Sequence, residues 1–234
     1  MLGQNSYLVI DTETTGLDPV IHRVVEVAAV LVVKGKIVSG FTSYVNPQRT
    51  IPPETSAIHG LVDADVADAP TLEELLPRLN LLVGEADVIV AHNAPFDKSM
   101  LPGLIEKPWL DTLRLAQHLY PDLESHKNSV LRYALGLKCP EAAGMPSHRA
   151  LSDAYVTSRL LIRLLEDCAK KEEYPSEIGP LIGMLQGPRV LRLCTFGKHR
   201  GQRWDEVPKD YLRWIVKQQD MNPDVLFTAR LLLG

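Results

Sequence analysis

The sequence has few cysteines and no long apolar run. Its three cysteines, Cys139, Cys168 and Cys194, are an odd number without metal-ligand spacing, which argues against a disulfide framework and a cysteine-based metal site. No apolar stretch reaches the roughly 18 residues that a membrane-spanning helix needs, and no basic and apolar leader precedes the first β-prone segment. We therefore expect a soluble, cytoplasmic protein with reduced thiols and no membrane partner.

Positive charge is also scarce, except near the C-terminus. The chain has 234 residues, with 25 Lys and Arg against 29 Asp and Glu, a formal net charge of −4. Residues 187–217 hold eight Lys or Arg and three acids, so this segment is +5 and the remainder is −9. A remainder that negative is poorly suited to holding nucleic acid unaided. The hydrophobic content of 45% is sufficient for one large core with an appendage.

Four acidic residues stand in three short clusters beside apolar segments. Asp11 and Glu13 follow an apolar run at 7–10, and side chains two apart on a strand share a face. Asp97 follows a second apolar run, and Asp153 stands near the start of a long amphipathic pattern, five residues after His148. Four unrelated surface acids are the alternative, but the joint placement disfavours it. Converging carboxylates need cations, and oxygen ligands favour Mg²⁺ or Mn²⁺ over Zn²⁺.

Hydrophobic periodicity indicates an α/β protein, because strands and helices alternate after about residue 70. We predict strands near 6–11, 23–33 and 36–46 and helices near 71–82, 95–105, 112–119, 127–135 and 149–168. Asn93 and Pro95 predict an N-cap and a first-turn proline for the second of these helices. The Pro- and Gly-rich segment 172–188 is interpreted as a connection with a short helix.

The segments VIDTETTGL, AHNAPFD and SHRALSDA resemble, in order and spacing, the DEDD exonucleases related to the proofreading subunit of bacterial replicative polymerase. The resemblance covers roughly residues 6–168. It implies a ribonuclease H-like fold, with a mixed five-stranded sheet flanked by helices, that removes nucleotides from 3′ ends. One branch of the family has a Tyr four residues before the last aspartate and the other a His five residues before it. With Arg149 and His148 at these positions, the chain resembles the histidine branch.

The resemblance implies two Mg²⁺ ions about 4 Å apart, replaceable by Mn²⁺. Asp11 is expected to bridge them, and Glu13 and Asp153 to complete the site that activates water. Asp97 is expected to support the second ion, directly or through water. His148 is expected to be the general base, because an unperturbed imidazole exchanges protons near neutral pH.

Weaker similarities concern contacts with nucleic acid. Thr14 and Thr15, with Gly16 in the same turn, are implied to bind the terminal 3′ hydroxyl, although ordinary turn residues would look the same. Leu17 is implied to wedge against the terminal base, or else to pack in the core. A structural role stays open beside a nucleic-acid contact for His59 with Gly60, His92, Asn93 and Phe96.

The tail predicts a hairpin with a basic tip, VLRLCTF-GKHRG-QRW, followed by helices from about residue 208 and near 223–232. Lys198 and Arg200 at the tip are expected to contact DNA phosphates, with a solvated turn as the alternative. Tyr211 and Trp214, three apart on a helix, favour core packing over base stacking. The tail also resembles the C-terminal extension of a DNA-degrading member of the histidine branch. We predict an exonuclease domain at 1–172, a linker at 173–188 and a small basic DNA-binding domain at 189–234.

These patterns together predict a metal-dependent 3′→5′ exodeoxyribonuclease that releases nucleoside 5′-monophosphates from DNA 3′ ends, single-stranded or duplex, in DNA repair. The alternatives are an RNA-trimming exonuclease of the same fold, a polymerase proofreading subunit and a catalytically silent nucleic-acid-binding module. The linker lacks the Gln-led clamp-binding motif that usually marks a proofreading subunit, and no carboxylate or histidine of the set is missing. RNA is not excluded as substrate, and the sequence does not determine the oligomeric state.

Overall fold

The computed structural model describes residues 1–234 and is built around one mixed sheet. Its strands are β1 (Ser6–Thr14), β2 (Val24–Val33), β3 (Lys36–Tyr44), β4 (Val88–Ala91) and β5 (Trp109–Asp111). The order across the sheet is β3-β2-β1-β4-β5. The first three strands pair antiparallel, whereas β4 runs parallel to both β1 and β5. The predicted mixed five-stranded sheet is therefore confirmed.

Ten α-helices surround or extend this sheet: α1 (Pro53–His59), α2 (Asp63–Val66), α3 (Leu72–Gly84), α4 (Ala94–Met100), α5 (Thr112–Leu119), α6 (Asn128–Ala134), α7 (Ala150–Cys168), α8 (Ile178–Gln186), α9 (Lys209–Val216) and α10 (Pro223–Leu233). The predicted helix at 95–105 ends at Met100, because Leu101 precedes Pro102 and a residue before proline avoids the helical conformation. The short α1 and α2 were not predicted. No helix has both the length and the apolar character needed to cross a membrane.

The side chains of β1 alternate between two faces, and this alternation determines which helix the acidic residues face. Tyr7 and Val9 face one core, shared with the long α7, while Leu8 and Ile10 face a second core, shared with α3. Side chains alternate between the faces of a strand, so the odd-numbered residues that follow Val9 continue on the α7 side. The end of β1 therefore presents two acids to the start of α7.

The tail forms a third, smaller core and is fastened to the main one. Trp204 is fully buried at its centre, and the Trp204 Nε1–H donates to the Leu193 carbonyl at 2.9 Å. Arg114 of α5 donates to both carboxylate oxygens of Asp224 on α10 and also to the Gly187 carbonyl. This ion pair joins the tail to the helices beside the sheet.

The predicted connection at 173–188 contains α8, whose Leu181, Ile182 and Leu185 are buried in the main core. Part of this segment therefore belongs to the packed body of the protein. The three-way division of the chain into domains stays a prediction.

The predicted hairpin of the tail is present only as an irregular turn. Leu193 and Arg203 form an isolated antiparallel bridge, and the tip is a short 3₁₀ turn at Gly197–His199. The arms are joined by backbone hydrogen bonds from Cys194 to Gln202 at 2.8 Å and from Trp204 to Arg192 at 2.9 Å. Gly197 and Gly201, with positive φ values of 62° and 84°, lie in the predicted tip, where the chain reverses direction. The pattern of apolar residues therefore placed the turn correctly, and its arms pair over only a few residues.

Candidate active site

Three carboxylates meet where β1 ends and α7 begins. Asp11 and Glu13 lie on the same face of β1, and Asp153 is in the first turn of α7, the helix that packs over that face. One ligand oxygen from each of the three lies within 4.8 Å of the others. The strand period and the position of the helix start therefore bring together residues about 140 positions apart in the chain.

The fourth acid, Asp97, lies beside this group and not within it. It is in the first turn of α4, only 4% exposed, and its Oδ1 accepts a hydrogen bond of 2.8 Å from the Thr12 hydroxyl. Thr12 belongs to the opposite face of β1 from Asp11. Asp97 is nevertheless close enough that its charge raises the pKa of Asp11.

Burial raises the pKa values of all four acids, and repulsion by other acids of the set raises those of Asp11 and Glu13 further. Burial raises the pKa of Asp11 well above its usual range, with further contributions from Asp97, Asp153 and Glu13. Burial, followed by the charges of Asp153 and Glu26, raises the pKa of Glu13 to about 8. Burial raises the pKa of Asp97 to about 7 and also raises that of Asp153. A group of oxygen donors that resists ionisation by itself fits divalent cations, which would neutralise it.

His148 stands two residues before α7 and is exposed. Its backbone has φ 57°, a left-handed conformation that is uncommon for a non-glycine residue. The positive charge of His148 and its backbone N–H oppose the rise in the pKa of Asp153, so the two residues are neighbours. The structure thus brings the histidine to the same site as the carboxylates.

A buried ion pair that the sequence analysis missed holds the start of α7. Glu26 of β2 lies directly across from Glu13 in the sheet and is only 3% exposed. It accepts two hydrogen bonds from the Arg149 guanidinium, at 3.0 and 2.9 Å, and one from the Ala150 N–H at 3.0 Å. Tyr44 accepts a further bond from the same guanidinium. The signal in the sequence was a single acid within the apolar run VVEVAAVLVV.

Comparison with known proteins identifies the family to which a chain with this site belongs. The sequence profile of the RNase_T family, described as exonucleases, matches residues 8–161. The chain belongs to the exonuclease family. Exodeoxyribonuclease 10 of Escherichia coli K12 is 35% identical to it over 226 residues, which cover 95% of this chain and 96% of that protein. The PolC-type DNA polymerase III of Bacillus subtilis is 32% identical over 193 residues, 78% of this chain but 13% of that polymerase.

Solved structures agree with the sequence relatives. The structure of exonuclease X in complex with 5′ overhanging duplex DNA is 34% identical, has a TM-score of 0.66, and matches 77% of this chain and 99% of the other. The nuclease domain of 3′hExo bound to rAMP, at 20% identity and a TM-score of 0.56, shows the shared fold alone. The predicted ribonuclease H-like fold and the DEDD-type 3′→5′ exonuclease family are confirmed.

In this exonuclease the predicted 3′-hydroxyl turn is tightly built. The Thr14 hydroxyl donates to the Gly16 carbonyl at 2.7 Å, and the Thr15 Oγ1 lies 3.2 Å from the Nδ1 of His22. Gly16 lies against the His22 imidazole, so that an added Cβ would overlap the ring. The turn therefore has a defined shape, and its contact with nucleic acid stays a prediction.

Leu17 is 81% exposed, beyond the end of β1, so the core alternative does not apply to it. Phe96 packs partly buried against the second core. Leu17 therefore presents most of its apolar side chain to solvent, four residues after Glu13. Its predicted role as a wedge remains untested.

His59 and His92 have structural contacts. His59 is buried at the end of α1, accepts a hydrogen bond of 3.1 Å from the Leu61 N–H and lies beside the Thr14 backbone. His92 contacts the Thr112 hydroxyl at 3.0 Å and the His126 carbonyl at 2.8 Å. Both imidazoles therefore support neighbouring loops.

Asn93 occupies the N-cap position of α4, but its side chain makes no capping hydrogen bond. The reason is its φ of 80°, because capping side chains act from an extended backbone. The Asn93 backbone N–H instead donates to Asp111 at 3.0 Å, and the side chain is exposed. Lys198 and Arg200, also predicted to bind nucleic acid, are exposed on the tail turn.

Proposed function

We propose that this exonuclease is a metal-dependent 3′→5′ exodeoxyribonuclease that releases nucleoside 5′-monophosphates from DNA 3′ ends and acts in DNA repair in the cytoplasm. The observation that carries the proposal is the group of Asp11, Glu13 and Asp153, whose oxygens lie within 4.8 Å of one another. It occurs in a chain related along 95% of its length to exodeoxyribonuclease 10.

The residues fit a pair of Mg²⁺ ions, with Mn²⁺ as a substitute, because every donor is an oxygen and divalent cations would displace the protons that Asp11 and Glu13 retain through their raised pKa values. Asp11, Glu13 and Asp153 would hold them, and Asp97 would support them from α4. When bound, such ions neutralise the phosphate charge and lower the pKa of water. Thr12 keeps Asp97 in position through its hydroxyl.

His148 acts as the general base that takes the proton from the attacking water. Its loop lies outside α7 and is exposed, so the imidazole is accessible to substrate. The Glu26–Arg149 ion pair fixes the residue that follows His148 and the first N–H of α7. It therefore positions both His148 and Asp153 relative to β1.

Binding of DNA requires positive charge, whereas the chain outside residues 187–217 has a net negative charge. The DNA 3′ end is bound by Thr14, Thr15, Gly16 and Leu17 at the end of β1, with Asn93, His59 and Phe96 around or beneath it. Lys198 and Arg200 of the tail bind phosphates farther along the strand, because they are exposed cations in the +5 segment. Single-stranded DNA and duplex ends are both substrates in this proposal.

The test is a parallel assay of the purified full chain on four 3′-labelled substrates: single-stranded DNA, blunt duplex, duplex with a 3′ mismatch, and RNA. Each is incubated with Mg²⁺, with Mn²⁺ or with EDTA, and products are separated by length. We expect mononucleotide release from DNA with either metal and none with EDTA.

The same assay decides the alternatives. Faster release from RNA than from DNA identifies an RNA-trimming enzyme, and strong preference for the mismatched duplex identifies a proofreading enzyme. Binding without release under every condition identifies a silent module. Any of these three results overturns the proposal.

A further inference from the structure

The tail carries an aromatic cluster on the solvent side of α9. Leu212 and Ile215 form the buried side of this helix, and Tyr211 is partly buried against the tail core. Trp214 lies outside that core. Their rings stack with centroids 5.2 Å apart and an interplanar angle of 22°. Trp214 is 48% exposed. The prediction of core packing thus fails for Trp214, because the helix buries its other face.

The tail turn braces this ring pair. The His199 imidazole contacts the Tyr211 ring edge-on at a centroid distance of 4.6 Å, and the Lys198 Nζ lies over the same ring at 5.4 Å. An added Cβ at Gly197 would overlap the Tyr211 hydroxyl, so this position admits the turn only as glycine. Tyr211 is therefore held on several sides, and Trp214 is the open end of the stack.

The charges around the stack are divided into paired and unpaired cations. Arg203 and Arg213 form ion pairs with Asp205 and Asp210. No acidic partner lies within ion-pair distance of Lys198, Arg200 or Lys217. Lys217 follows Trp214 by three residues, so the two share a side of the helix end. Lys198 lies over the Tyr211 ring and Lys217 lies one turn beyond Trp214, so unpaired cations stand beside the stack.

We propose that the Tyr211–Trp214 stack is a binding site for single-stranded DNA, in which a base stacks on the exposed face of Trp214 and the flanking cations contact its phosphates. A positive surface beside an exposed stacked aromatic pair is complementary to a polyanion with flat bases, and an isolated apolar ring would not be. The proposal rests on the proposed exodeoxyribonuclease function and adds a second point of attachment, remote in sequence from the carboxylates.

The experiment compares Trp214→Ala, Trp214→Leu and Trp214→Phe in the full chain. Binding of fluorescent oligodeoxythymidylates of about 4 and about 20 nucleotides is measured by anisotropy in EDTA, which prevents cleavage. We expect Trp214→Ala and Trp214→Leu to bind the longer oligonucleotide roughly 5- to 100-fold more weakly, and Trp214→Phe to retain most of the affinity. The shorter oligonucleotide is expected to bind more weakly and to lose less affinity in these variants, because it makes fewer contacts with the protein.

Phe227→Ala is the matched control, because Phe227 is also a half-exposed aromatic residue of the tail, on α10. It should leave both affinities unchanged, and thermal unfolding should show that every variant is folded. Wild-type affinity in Trp214→Ala, or in Trp214→Leu, overturns the stacking site. A wild-type dimer that Trp214→Ala converts to a monomer with unchanged DNA affinity also overturns it, because the stack is then a contact between copies.

Failure of the proposed function gives a different result. If the wild-type chain neither binds nor degrades DNA, the exodeoxyribonuclease proposal fails. If it degrades DNA and binds the longer oligonucleotide but is indifferent to Trp214, only the stacking site fails.

Discussion

The end of β1 and the tail treat charge in opposite ways. At β1 the chain concentrates carboxylates in a partly buried group and raises their pKa values by burial and repulsion. In the tail it exposes cations, several without acidic partners, around an aromatic pair. Buried carboxylates favour binding of a metal ion or a proton. Exposed lysine and arginine side chains can instead contact the phosphates of a long polyanion.

The proposed function assigns catalysis to the first region and DNA binding to the second. An acidic site repels the phosphates that it must cleave, so binding along the strand has to come from elsewhere in the chain. The Arg114–Asp224 ion pair joins the tail to α5. Substitutions at the end of β1 should therefore lower the rate of hydrolysis, and substitutions in the tail should lower DNA affinity.

The largest effect is expected from the metal-binding acids. Asp11→Asn and Asp153→Asn should lower DNA hydrolysis by about 10³-fold or more, because loss of a ligand forfeits several kcal/mol of transition-state stabilisation. The fold should survive, since removing one carboxylate also relieves repulsion. Single-turnover rates with Mg²⁺ and melting curves check both points. Asp68→Asn, an exposed acid, is the control, and near wild-type turnover in either site variant would remove that residue from the metal site.

The second prediction concerns the base. His148→Ala should lower the rate by about 10²–10⁴-fold, the usual contribution of a positioned general base. The pH–rate profile of the wild type should rise on its acidic side, and the variant should lack that rise. Metal affinity, measured by titration of activity with Mn²⁺, should change little. An active alanine variant with the wild-type profile would exclude His148 as the base.

A third prediction tests the support of α7. Glu26→Gln and Arg149→Lys should each lower activity about 10- to 100-fold, as expected for residues that orient metal ligands. Arg159→Lys is a matched control, because Arg159 of α7 also pairs its guanidinium with a glutamate, Glu141, of the preceding loop. Similar losses of melting temperature but unequal losses of activity would support positioning. If Arg159→Lys lowered activity as much as Glu26→Gln and Arg149→Lys, the Glu26–Arg149 pair would be only a general stabilising contact.

The fourth prediction uses the raised pKa of Glu13, about 8 against an ordinary 4.5. A carboxyl that holds its proton more tightly when folded contributes stability that is complete below about pH 4.5 and is lost as the pH rises through 8. In EDTA, the melting temperature of the wild type should therefore fall relative to Glu13→Gln by about 5–10 °C between pH 5 and pH 8.5. The histidines affect the pH dependence of both proteins alike, so their contribution cancels in the comparison. Saturating Mn²⁺ should abolish the pH dependence of the difference in melting temperature. A pH-independent difference would contradict the assigned shift.

The smallest effect is expected in the tail. Replacing Lys198 and Arg200 by Ala should weaken DNA binding and make the salt dependence shallower by about 0.7 log units per lost contact on single strands, or 0.9 on duplex. Cleavage of saturating substrate should be unchanged. Lys36 and Lys170, exposed lysines outside the tail, provide a control of equal charge. Unchanged DNA affinity and an unchanged slope of its salt dependence in the tail variant would indicate a solvated turn. The proposed assignment of DNA binding to the tail would then be wrong.

The sequence by itself determined the acidic set and the order of the elements that carry it. Asp11 and Glu13 follow an apolar strand with a period of two, and Asp153 begins a helix with a clear apolar face, so local periodicity places them. The sequence was also sufficient to locate the basic segment, because charge composition needs no structure to be read. These features depend on neighbours within a few residues.

Tertiary structure decided what depends on distant partners. Glu26 becomes a support for α7 only because β2 pairs with β1 and Arg149 arrives from 123 residues away. Asp97 is withdrawn from the three-carboxylate group by its bond to Thr12, and Trp214 is exposed because Leu212 and Ile215 take the buried face of α9. Burial and long-range pairing are properties of the packed chain, and a pattern of neighbouring residues does not contain them.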